Sequence, residues 1–90
     1  MVAATVEKYV EIALPSIEVV RLVASDAETF TSRKFATVEA AQITLNEDTD
    51  ADINVTDSDG TPIDGTGKSV RINVVGGTDQ TCTLTLYGNL

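Results

Sequence analysis

Residues 80–88 alternate without a break: Cys82, Leu84 and Leu86 take one parity, and Thr81, Thr83 and Thr85 the other. A period of two sends successive side chains to opposite faces of a strand, so this pattern demands a half-buried β-strand. Residues 69–75 repeat it, with Val70, Ile72 and Val74 against Arg71 and Asn73. The short Gly76-Gly77-Thr78-Asp79 link suggests that these two strands form a hairpin.

The same rule organises the rest of the chain. Ala4, Val6, Val10, Ile12 and Leu14 share one parity in residues 2–14, and Pro15-Ser16 ends the run. Residues 17–24 are apolar on both faces, with Val20, Leu22 and Ala24 opposite Ile17, Val19 and Val23. Their β-branched content favours a strand over a helix. Two-sided apolarity means either a strand central to the packing or a face awaiting another chain. Ser25-Asp26-Ala27-Glu28 matches a capping box, which either opens a helical turn or sits in a polar loop. In residues 36–45, Ala41, Ile43 and Leu45 alternate while Val38 has the wrong parity. A β-bulge near Glu39 and Ala40 would restore the register, and a short helix over residues 36–42 is the competitor.

Strands at this spacing predict an all-β domain, a small Ig-like β-sandwich or barrel of about six to seven antiparallel strands. The 90 residues form one domain, with residues 1–5 as a candidate mobile arm.

Charge narrows the function. Six basic side chains face 14 acidic ones, a net charge of −8. Such a chain repels nucleic acid and anionic membrane, so neither is expected as a partner. It suits solubility or docking onto a basic protein surface. Residues 46–64 hold seven carboxylates, among them Asp57, Asp59 and Asp64, and no lysine or arginine.

The catalytic constellations fail. Histidine is absent, which removes Ser-His-Asp and Cys-His chemistry and histidine metal sites. Cys82 is the only cysteine and lies on an apolar face, as an inert core residue would. A chain with one cysteine makes no internal disulfide and suits a reducing compartment or an assembly that never depends on oxidation. Gly67-Lys68-Ser69 resembles the end of a P-loop, but Pro62 stands where that motif needs glycine, and a strand pattern follows. With Gly60 in the sixth place of an EF-hand loop, Val55 and Thr66 would occupy the first and twelfth places, where acidic ligands are needed. Asp57, Asp59 and Asp64 stay as candidate Ca²⁺ ligands of another kind of loop, against the preferred reading of solvated Asp-rich turns. No catalytic residue, no cofactor and no signal peptide are expected.

The short β pattern, the acidic balance and the run NVTDSDGTPIDGTG ahead of alternating strands resemble small virion proteins of tailed bacteriophages, namely capsid decoration (cement) proteins and head-fibre bases. The resemblance implies a non-enzymatic protein, made in the host cytoplasm, that bridges major capsid protein or other virion subunits. It also implies a homo-oligomer, with a trimer favoured. A tail, neck or fibre component is the neighbouring reading, and a Ca²⁺-dependent Ig-like surface adhesion module is the other. The expected interface is Val2, Val6 and Tyr9, with Val19, Val20, Leu22 and the loop residues Phe30, Arg33, Lys34 and Phe35. The acidic turns would then face solvent.

Overall fold

A computed structural model describes residues 3–11 and 16–90. The described residues form seven strands and no helix: β1 (Thr5–Glu11), β2 (Ile17–Ala24), β3 (Glu28–Thr31), β4 (Thr37–Leu45), β5 (Asp52–Asp57), β6 (Ser69–Val75) and β7 (Gln80–Asn89). They make two antiparallel sheets, ordered β1-β2-β7-β4 and β3-β6-β5. The inner faces of the two sheets meet in a β-sandwich core, the expected fold class. An immunoglobulin constant domain places its fifth strand between the second and fourth. Here the seventh takes that place and the fifth moves to the smaller sheet.

The core follows the alternation. Val20, Leu22 and Ala24 from β2, Val70, Ile72 and Val74 from β6, and Cys82, Leu84 and Leu86 from β7 are all buried. Each fully buried leucine or isoleucine among them contributes about 1.5–3 kcal/mol. Phe30, Phe35 and Val38 complete the filling.

The expected β6–β7 hairpin is corrected. β7 pairs with β2 and β4 in one sheet, while β6 pairs with β3 and β5 in the other. The 76–79 link therefore crosses between layers. Gly76 at φ 90° and Asp79 at φ 51° make the bend. Asp79 is fastened to Ser25, whose hydroxyl accepts the Asp79 N–H and donates to its carboxylate, both at 2.9 Å. Alternation fixes which face is buried but not which strand lies alongside.

The bulge in β4 is present. Its register with β7 shifts between Val38 and Ala40, so Val38 becomes buried. The competing helix over residues 36–42 does not form. β1 carries two shifts of its own, between Val6 and Lys8 and between Tyr9 and Glu11. They turn Tyr9 inward against the core and leave Val10 exposed, reversing the simple parity expected for residues 9 and 10. Ser25 to Glu28 is a turn into β3. The Glu28 carboxylate accepts the Ser25 N–H at 2.9 Å, as in a capping box, but Ala27 at φ 67° leads the chain away from a helix.

Of the candidate arm over residues 1–5, Ala3 to Thr5 are described. Ala3 bridges Thr29 of β3, and the Ala4 N–H donates to the Thr29 carbonyl at 2.8 Å. The chain therefore closes one side of the sandwich before entering β1 in the other sheet.

Candidate functional site

The expected interface residues fall into three groups. Val20 and Leu22 have no exposed surface, and Phe30 and Phe35 are buried at 5% and 3%. All four belong to the chain's own core, so the expectation that Val20 and Leu22 of β2, with Phe30 of β3 and Phe35 of the following loop, face a partner is corrected. β2 turns Val20, Leu22 and Ala24 into the core, and its other apolar face, with Ile17, Val19 and Val23, is only half-buried. Val6, Tyr9 and Val19 are half-buried. Val2 lies outside the described residues.

Arg33 and Lys34 are spent locally. The Arg33 guanidinium stacks over the Tyr9 ring at 4.9 Å, and Tyr9 in turn meets Phe30 at 6.4 Å. The Lys34 ammonium donates to the Ile17 carbonyl at 2.8 Å and lies over the Phe35 ring at 5.7 Å. The loop that carries both cations is bonded to Glu18 of β2, which sequence reasoning passed over. Its side chain is fully buried, with a carboxylate that accepts the Ser32 hydroxyl at 2.7 Å and the Arg33 N–H at 3.3 Å. The Ser32 oxygen accepts the N–H groups of Lys34 and Phe35. A buried carboxylate persists only when it is bonded this way. The arrangement pins the loop between β3 and β4 to β2. The signal was in the alternation: Glu18 shares the parity of Val20, Leu22 and Ala24.

The acidic turns are exposed and bonded within themselves. The Asp59 carboxylate accepts the Thr61 hydroxyl at 2.6 Å and its N–H at 3.1 Å. Asp64 does the same with Thr66. These bonds favour the ionised forms and hold both carboxyls below their ordinary 3.8, with the threonine hydroxyl as the largest cause. Asp57 accepts the Ser58 N–H at 3.0 Å. Among the described residues no three acidic or sulfur side chains converge to hold a metal ion, so the three candidates do not form a joint Ca²⁺ site there. Gly67-Lys68-Ser69 leads into β6, a strand, and offers no helix N-terminus to a phosphate. Burial pushes the Cys82 thiol up to about 11, which leaves little thiolate to react.

What the fold does bring together is charge. Residues 36–67 hold Glu39, Glu47, Asp48, Asp50, Asp52, Asp57, Asp59 and Asp64 and no basic residue. Elsewhere the six basic side chains are matched by Glu7, Glu11, Glu18, Asp26, Glu28 and Asp79. The entire net charge of −8 therefore belongs to β4, β5 and their loops. β4 is an edge strand of one sheet, β5 is an edge strand of the other, and the two lie against each other. One side of the sandwich is thus strongly acidic, bordered only by Lys68 and Arg71. The Arg71 guanidinium lies beneath Gly60, and its Nε is buried without a hydrogen-bond partner.

The opposite side is charge-balanced. Its outer face carries Val10, Ile17, Val19 and Val23 beside Thr83 and Thr85, with the exposed Glu7–Arg21 pair at 3.1 Å. Comparisons with protein-family models, with curated proteins and with solved structures find no match for this chain.

Proposed function

We propose that this domain is a non-enzymatic structural protein that docks onto a basic surface of another protein within a larger assembly. The observation that carries the reading is the confinement of the whole charge of −8 to one side of the sandwich. A concentrated field of one sign steers a partner of the other sign and orients the encounter, which evenly spread charge does not. The resemblance to phage decoration proteins names the particular assembly: a virus shell, with this domain bridging capsid subunits. Its acidic side would then face the shell, not solvent. A trimer, as the resemblance implies, would use the charge-balanced face around Val10 and Val19, where like charges do not oppose contact.

The test is fractionation of the virus or cell that encodes the chain. The chain is expected to sediment at fixed stoichiometry with a particle far larger than 9.5 kDa. Salt near 1 M, where screening reaches about 3 Å, should release it. Recovery only as a free small protein at every ionic strength overturns the reading.

A further inference from the structure

We infer that the free edge of β4 receives an extended, lysine- or arginine-flanked segment of another protein as an added strand. The inference rests on the docking reading above and gives it a mode and a partner chemistry.

The sandwich has four sheet edges, and three are blunted. The β3 edge is bridged by Ala3 and Ala4. The β1 edge shifts register twice within its 7 residues, so its outward groups lose regular spacing. β5 is 6 residues long and carries aspartate at both ends. β4 differs. After its bulge it runs in regular register with β7 through Leu45, and residues 40–45 contain no charge, proline or glycine.

The direction of its free groups follows from one bond. The Asn46 N–H donates to the Thr81 carbonyl, so Asn46 and Thr81 form a hydrogen-bonded pair. Antiparallel pairs alternate, so Gln42 and Thr44 also turn their backbone groups to β7. Ala41, Ile43 and Leu45 therefore turn theirs to the open side, where no described strand pairs with them. Their side chains are only half-buried, along the seam that β4 makes with β5. The loop before β6 covers only the start of the strand, where the Val38 N–H donates to the Gly67 carbonyl. What remains is a short template for strand addition with an apolar side to extend.

Charge selects the occupant. A second copy would set one acidic side against another, so the flanking carboxylates guard this edge against self-pairing. An acidic segment meets the same repulsion. A segment with basic ends and alternating apolar residues gains backbone hydrogen bonds, seam contacts and charge attraction together.

The probe is a ten-residue peptide of alternating valine and threonine with two lysines at each end. Binding should slow amide exchange at Ala41, Ile43 and Leu45 and weaken at least about tenfold from low salt to about 0.5 M salt. The glutamate-flanked counterpart should not bind. Ala41→Pro removes an outward donor at a place where an edge strand tolerates proline, and should lose at least tenfold in affinity with an unchanged urea midpoint. If that variant does not fold, a peptide N-methylated at alternate residues supplies the same test on the intact domain. Protection on another strand, equal binding of the glutamate peptide, or β4-to-β4 dimers would overturn the inference. The two proposals separate in the native particle. If Asp48→Lys with Asp50→Lys abolishes association and Ala41→Pro leaves it intact, strand addition fails and docking stands. If neither variant alters association, docking fails as well.

Discussion

The sandwich has two unlike sides. The β1–β2 side is charge-balanced, and its polar groups are turned to holding the fold: Glu18 receives the β3–β4 loop, and Ala4 bonds across to β3. The β4–β5 side carries all the net charge, and its regular edge is open at Ala41, Ile43 and Leu45. The same kind of strand is thus used twice, once sealed and once left available. Stability and recognition should therefore respond to different substitutions, and that separation is open to attack.

The largest effect should come from Gly88, where β7 meets the start of β4. A Cβ there would stand 2.3 Å from the Thr37 carbonyl oxygen and 2.8 Å from the Phe35 ring. Backbone has to move to make room, so Gly88→Ala should lose about 3 kcal/mol or more, read as a drop in urea midpoint. Glu18→Ala comes next. It leaves the Ser32 hydroxyl and the Arg33 N–H without their acceptor in a buried place, at a cost of about 1–3 kcal/mol. Glu18→Gln keeps an acceptor and should recover part of the loss. If Glu18→Ala is neutral in urea, the β1–β2 side is not held by this network and the contrast weakens. On the other side, Asp48→Asn with Asp50→Asn removes exposed like charges. Its stability should change by no more than about 0.5 kcal/mol, while salt-dependent binding of a basic partner falls. A large stability loss there would mean that the acidic rim is structural after all.

The inner faces were legible in the sequence because burial follows parity: Leu22, Ile72, Leu84 and Leu86 all sit where alternation placed them. The β4 bulge was legible too, since Val38 could be buried only through a register shift. The layer assignment of β6 and β7 was not, because a short glycine link serves a hairpin and a crossing equally well. The bulges in β1 were hidden for a related reason. Val10 and Tyr9 are both compatible with burial, and only pairing with β2 decides between them. At the site, the acidic segment was visible as composition. Its meaning changed once the fold set β4 and β5 side by side at open edges. The apolar β2 strand suggested a partner surface because alternation does not say which of its two apolar faces the second sheet covers. That face proved to be the one with Val20, Leu22 and Ala24.

The smallest effect concerns how the acidic side tolerates its own charge. Asp59 and Asp64 are held ionised chiefly by the hydroxyls of Thr61 and Thr66, and the negative charge of Asp59 works against the shift at Asp64. Both folded carboxyls titrate below the 3.8 of an unperturbed aspartate. The folded state therefore binds these protons less readily than the unfolded chain. Their contribution is complete above that value and fades as pH falls through the folded ones. A side-chain carboxyl titration by NMR should place the Asp59 midpoint below 3.8 in the native domain and move it upward in Thr61→Val. The acid limb of the stability curve should become shallower in the variant, with no change near neutral pH beyond the loss of the hydroxyl itself. An Asp59 midpoint at 3.8 in the native chain would instead leave these turns as charges without local support, and the acidic side would owe its shape to the strands alone.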